Sequence, residues 1–180
     1  GGGCMHLTDS VGKESRLQYV AYLHEQAAAV AADAYAQYTR NLGVALVTTG
    51  PGSTNAITGV AGSWVESVPV LILSGQVKTA DIKPSPDMRM LGFQEVDITA
   101  IVKPITKYAV TIRDPATIRY HLEKAVFLAR HARPGPVWIN VPLDIQAQTI
   151  EPAQLKGFSA TELEAGPGNH GEVLTRGVAR

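Results

Sequence analysis

Five strand-length apolar runs punctuate the chain, at residues 17–23, 44–48, 70–74, 108–112 and 137–141. Runs 44–48 and 70–74 are apolar nearly throughout and do not alternate with polar positions. Strands of that kind suit a parallel sheet covered on both faces, where neither side of the strand meets water. Between the runs lie longer stretches with helical character. Residues 26–39 are rich in alanine, which has high helix propensity and packs closely on a sheet. Residues 53–66 follow a glycine turn and stop before Pro69. Asp114-Pro115 reads as a capping residue followed by proline at the first helical position. After it, Ile118, Leu122, Ala125, Val126 and Ala129 fall at helical spacing. Arg130, His131 and Arg133 set positive charge where the helix dipole favours it, and Pro134-Gly135-Pro136 ends the element.

Alternating strands and helices predict an α/β fold: three layers, with an open, mainly parallel sheet between helices on both faces and right-handed crossovers. Residues 78–92, with Pro84, Pro86 and several charges, read as a long surface loop. From about Glu151 the pattern changes, and residues 157–171 are rich in Gly, Ser, Thr and Glu. The organisation expected is therefore one domain over residues 1–150 and a linker over residues 151–180. The chain starts Gly1-Gly2-Gly3-Cys4 without an initiator methionine, which reads as an incomplete chain.

Composition narrows the function classes. Sixteen basic residues balance 16 acidic ones, so there is no basic excess to suggest nucleic acid or an anionic membrane as partner. No apolar run approaches the roughly 20 residues needed to span a bilayer. No secretory signal is visible, and the lone Cys4 rules out an internal disulfide framework, so a reducing, cytoplasmic setting is expected. The five histidines show no metal-ligand spacing and there is no C-x-x-C, so no metal ligands are assigned. The serines and threonines near Gly52 lack a nucleophile elbow.

In an open parallel sheet, ligands bind beyond the carboxyl ends of the strands. Three segments fall at such ends. In His24-Glu25-Gln26 a carboxylate stands where run 17–23 becomes the alanine-rich helix, and helix capping is the simpler reading of Glu25. In Thr48-Thr49-Gly50-Pro51-Gly52-Ser53-Thr54-Asn55, glycines let the backbone approach a ligand, or simply make a tight turn. That segment has neither the lysine of a P-loop nor G-x-G-x-x-G spacing. Ser74-Gly75-Gln76 and Phe93-Gln94-Glu95 supply two amides and an aromatic wall, or ordinary packed and polar residues.

The order of these segments resembles one family. Gly1-Gly2-Gly3, Leu23-His24-Glu25-Gln26-Ala27-Ala28, Val47 to Ala56, Ile72-Leu73-Ser74-Gly75-Gln76-Val77, Phe93-Gln94-Glu95 and Arg133-Pro134-Gly135-Pro136-Val137 are similar to the N-terminal, pyrimidine-binding domain of acetolactate synthases. The match runs from Gly1 to about Ile150. The resemblance implies a thiamine-diphosphate-dependent 2-keto acid decarboxylase or carboligase. Within it, Glu25 would hydrogen-bond the aminopyrimidine ring and promote loss of the thiazolium carbon's proton. It implies a dry pocket that raises the Glu25 pKa by desolvation. Gly2, Gly3, Thr49, Gly50, Pro51, Gly52, Asn55 and Gln76 would line the cofactor, and Phe93 and Gln94 would face the substrate.

The family's diphosphate is held through magnesium by a second domain with a G-D-G motif, which does not occur in this sequence. The resemblance thus implies half a site, completed by a second subunit of a homo-oligomer, and no turnover by this chain alone. Some relatives bind FAD in a middle domain outside the match. Acetolactate synthases typically carry Pro-Lys-Asp where this chain has Pro142-Leu143-Asp144, which keeps oxalyl or sulfoacetaldehyde chemistry, or another carboligation, open. A non-catalytic assembly subunit is the other class considered, and retention of Glu25 argues against it. A nicotinamide-dependent oxidoreductase would need the missing G-x-G-x-x-G turn.

Overall fold

A computed structural model describes residues 1–164. Four strands, β1 (Gly43–Val47), β2 (Val70–Gln76), β3 (Tyr108–Thr111) and β4 (Val137–Pro142), form one all-parallel sheet in the order β1-β2-β4-β3. The helices are α1 (Met5–Lys13), α2 (Glu25–Thr39), α3 (Pro51–Asn55), α4 (Ile57–Glu66), α5 (Ile98–Val102), α6 (Ile118–Arg130), α7 (Leu143–Gln146) and α8 (Thr161–Glu164). The α/β fold expected from the apolar pattern is the fold observed.

Alternate residues of the two central strands feed two cores. Val70 and Ile72 of β2 and Trp138 of β4 pack with Ala29, Ala32 and Ala36 of α2, Val60 of α4 and Ile98 and Val102 of α5. Leu71, Val137, Ile139 and Val141 pack on the other face with Ala125, Leu128 and Ala129 of α6. With both faces covered, the strands have no reason to alternate in polarity, which is why the two runs read as continuously apolar. The chain steps one way across the sheet from β1 to β2 and the opposite way from β3 to β4. Their connecting helices, α4 and α6, accordingly lie on opposite faces, as a single crossover hand demands.

One polar chain crosses the otherwise apolar α2 face. Trp138 Nε1 donates to Ser74 Oγ at 2.7 Å, and Ser74 Oγ donates to Asn140 Oδ1 at 2.8 Å. Asn140 Nδ2 in turn donates to Thr111 Oγ1 at 3.1 Å. Each buried polar group is thereby satisfied, and β2, β4 and β3 are fixed in register near their carboxyl ends.

Three expectations change. Residues 17–23 form no strand: Leu17, Tyr19, Val20, Tyr22 and Leu23 are exposed, and no strand among the described residues pairs with them. Strand propensity alone does not hold a strand that lacks a ladder partner. The single helix expected over 53–66 begins earlier, at Pro51, and is broken at Ala56 into α3 and α4. The early part of the linker segment lies on the domain: the Phe158 amide donates to Glu123 Oε2 at 2.7 Å, and its ring meets Tyr120 and Phe127. Residues 165–180 of that segment lie outside the described residues.

Asp114 caps the turn before α6 as its sequence predicts, accepting from the Ala116 amide. Just past the other end of α6, Lys107 Nζ donates to the carbonyls of the C-cap residue His131 at 2.6 Å and of Arg133 at 2.7 Å.

Candidate functional site

The segments singled out in the sequence meet beyond the carboxyl ends of β1 and β2. The turn after β1 is built on Gly50, at φ 58° and ψ −119°, where a side chain is strained. A Cβ on Gly50 would also overlap the carbonyl oxygen of Gln94. Gly52 opens the turn toward α2: a Cβ there would sit 2.5 Å from Thr48 Cγ2 and 3.1 Å from Glu25 Oε1. The Gly1–Gly3 segment leans on the same turn. Methyls on Gly1 and Gly3 would crowd Thr48 and Thr49, and one on Gly75 of β2 would overlap the Gly3 carbonyl. Three backbone segments therefore approach at distances that only glycine permits.

Glu25 is the first residue of α2 and is half-buried. It does not cap that helix. His24 does, its Nδ1 accepting from the Gln26 amide at 3.2 Å, a role the sequence reading missed although His24 was part of the motif. Glu25 Oε2 accepts from Asn55 Nδ2 at 3.1 Å, while Oε1 lies against Gly52. The Asn55 amide, followed by the helix-start backbone, holds the Glu25 carboxyl below the usual carboxylate range, and desolvation, which acts the other way, is outweighed. The raised pKa expected from a dry pocket is thus not a property of this chain alone. Its carboxylate sits on a rim rather than in an enclosed cavity.

Gln76 is 3% exposed, and its polar atoms are engaged within the protein. Its Oε1 accepts from Thr49 Oγ1 at 2.6 Å and from the Val77 amide at 2.9 Å, and its Nε2 donates to the Val96 carbonyl at 2.9 Å. It braces the β1 turn against residues 94–96. Gln94 has a positive φ of 58° and, like Asn55 and Pro51, is exposed. Phe93 is 81% exposed, and Gly2 has open space where a Cβ would stand. The fold therefore gathers Gly3, Glu25, Thr49, Gly50, Gly52, Asn55, Gln76 and Gln94 in one cluster, with Gly2, Pro51 and Phe93 on its open side.

Two supports were not singled out from the sequence. Asp144 of α7 accepts from the Thr79 amide at 2.9 Å and from Thr79 Oγ1 at 2.5 Å, pinning the start of the 78–92 loop. Gln146 Nε2 donates to the Gly3 carbonyl at 2.8 Å and the Val141 carbonyl at 2.7 Å, fastening the glycine turn to the end of β4. Both join residues far apart in the chain, and no local pattern announces such pairs.

The arrangement offers a half-buried carboxylate over a glycine floor. Glu25 Oε1 lies beside Gly52 as an acceptor, while Oε2 is engaged by Asn55.

Comparison with known proteins agrees with this geometry. Residues 1–101 match the family described as thiamine pyrophosphate enzyme, N-terminal TPP binding domain. The acetolactate synthase large subunit of Cyanidium caldarium is 40% identical over 148 residues, covering 81% of this chain and 24% of that protein. That of Lactococcus lactis subsp. lactis (strain IL1403) is 39% identical over 150 residues, covering 83% of this chain and 25% of that protein. The acetolactate synthase isozyme 3 large subunit of Escherichia coli (strain K12) is 40% identical over 145 residues, 81% of this chain and 24% of that protein. The chain spans about a quarter of the length of the curated relatives it matches.

Proposed function

We propose, from the premise that this chain belongs to the thiamine pyrophosphate enzyme family as its N-terminal TPP binding domain, that it supplies the cofactor-activating carboxylate of an acetolactate synthase-like enzyme. The observation that carries the reading is Glu25 Oε1, set against the Gly52 floor with Oε2 already bonded to Asn55. Thiamine diphosphate, when bound, would supply an electron sink for the carbonyl carbon of a 2-keto acid as its carboxylate leaves. Glu25 would hydrogen-bond the ring nitrogen at the pyrimidine edge and exchange a proton with it. Asn55 fixes the carboxylate's rotation, so the exchanging oxygen is Oε1. Gly50, Gly52 and Gly3 let the three segments close up on one another beside Glu25, and Gln76 and Thr49 brace the turn.

In this reading the diphosphate and its magnesium are held by a domain of a second subunit in a homo-oligomer, and any FAD is bound outside the described residues. Covering the rim with that second domain removes water from Glu25 and raises its pKa from the low value set by Asn55. Phe93 and Gln94, on the open side, face the 2-keto acid.

The test is Glu25→Gln in the full-length protein, assayed by 2-keto acid decarboxylation alongside calorimetric titration with thiamine diphosphate. We expect turnover to fall by about 10²- to 10⁴-fold, the usual worth of a positioned acid or base, while the cofactor still binds. Turnover within about threefold of wild type would remove Glu25 from the chemistry. A wild-type protein that binds the cofactor but turns over no 2-keto acid would make the domain a binding or assembly module.

A further inference from the structure

Between β2 and α5 the chain makes a long excursion held by one buried carboxylate. Glu95 is 4% exposed and forms no ion pair among the described residues. Its Oε1 accepts from the Lys83 amide at 3.0 Å and its Oε2 from the Leu91 amide at 3.1 Å. Burying a carboxylate is costly unless its oxygens are bonded, and here both are bonded to backbone amides of the loop itself. Two further bonds tighten the same closure: the Gly92 amide donates to the Asp81 carbonyl at 2.8 Å, and the Glu95 amide to the Gly92 carbonyl at 3.1 Å. The outgoing end is already pinned by Asp144 on Thr79, so Glu95 fixes the returning end.

What lies on either side of Glu95 gives the closure a consequence. The Gln94 carbonyl rests on Gly50 so closely that no Cβ fits, and the Val96 carbonyl accepts from Gln76 Nε2. Both neighbours are thus fastened to the turn after β1. Phe93 is largely exposed, so its backbone, and not its packing, decides where its ring stands.

We propose that Glu95 is a positioning residue: it buckles residues 81–95 and so sets Phe93 and Gln94 against the Gly50 turn. The structural claim stands by itself, and its bearing on substrate rests on the functional reading above. Replacing Glu95 by glutamine conserves size but turns one acceptor into an NH₂ that faces an amide N–H. A residue that merely fills space would tolerate the change.

The experiment is amide hydrogen exchange by NMR on the full chain, wild type against Glu95→Gln. Expected are exchange about tenfold faster at Lys83 or Leu91, the loss of one charge-assisted hydrogen bond, and faster exchange of the Gln76 side-chain amide, with Ile72 and Ile139 unchanged. Unchanged exchange at both loop amides overturns the buckle. Faster loop exchange with an unmoved Gln76 amide overturns its transmission to the site. Should Glu95→Gln fail to fold, Glu95→Asp, which keeps both acceptors but is one methylene too short to reach both amides, is read the same way. In the full-length enzyme, the KM for a 2-keto acid should rise about tenfold with kcat changed less than about threefold, a loss of binding made equally in ground and transition states. An unchanged KM overturns the bearing on substrate. Absence of turnover in the wild type counts against the functional reading alone, because the exchange measurements still decide the buckle.

Discussion

Replacing Gly50 by alanine tests the tightest point of the site. Gly50 adopts φ 58° and ψ −119°, a region sparsely populated by residues with a side chain, at a cost of about 1–3 kcal/mol. The new methyl also overlaps the Gln94 carbonyl, a backbone atom that moves only if the whole loop moves. Overpacking of that kind adds about 1–3 kcal/mol. Taking the middle of both ranges gives about 4 kcal/mol, and at about 2–4 °C per kcal/mol for a chain of this size Tm falls by about 10 °C. Gly62→Ala is the control. It lies in mid-α4 with nothing within 4 Å of a Cβ, so alanine relieves the helix of glycine's entropy cost and raises stability by about 0.5–1 kcal/mol. Scanning calorimetry on both variants decides. The reasoning is refuted by a Gly50→Ala protein that melts within about 2 °C of wild type, since the turn would then accept a side chain.

Asn140→Leu keeps the volume but leaves the buried Ser74 hydroxyl proton without its acceptor and takes a donor from Thr111 Oγ1, so urea unfolding should show a loss of about 1–3 kcal/mol, and a loss below about 0.5 kcal/mol would show that the polar chain is dispensable. The pH profile should carry two limbs from one part-buried pair, Tyr108 and His121, whose Oη and Nδ1 lie 2.6 Å apart. Burial pushes the Tyr108 phenol up to about 12, so the folded state keeps a proton that the unfolded state releases near pH 10; this contribution is complete below pH 10 and lost as pH rises toward 12. Burial, and then the Lys124 charge, push His121 down, so its contribution is complete above about pH 6.5 and lost as pH falls through the folded pKa. Tyr108→Phe should shrink the alkaline limb and His121→Phe the acid limb in urea titrations at stepped pH; limbs unchanged by these substitutions would contradict the assignment.

The parts of the fold legible in the sequence were those set by neighbours along the chain. Residues 44–48, 70–74, 108–112 and 137–141 each lie within about two residues of an observed strand, because a strand buried on both faces writes its burial into a continuous apolar run. Residues 17–23 carry similar side chains but remain exposed, since a ladder depends on what lies beside the segment. In the site, the glycines were readable because tight turns and close approaches admit little else. The direction of the Glu25 shift was not, because it depends on Asn55, 30 residues away, and on how much water the rim admits. Greater separations hide Asp144 on Thr79 and Gln146 on Gly3, while the amides that meet on Glu95 come from 12 and 4 residues away in a loop without a regular period.

The strand order also bears on how the chain acquires its shape as it is made. Among the described residues β4 sits between β2 and β3 but is synthesised after both, and β3 pairs with no other strand. Until residues 137–142 have emerged from the ribosome, β3 has nothing to pair with and β2 shows a bare edge. The seat of Trp138 between the helices stands empty for the same interval. Such late, non-local closure slows folding and leaves apolar surface open to other nascent chains, so this domain should depend on chaperone protection during synthesis more than a sheet assembled in chain order.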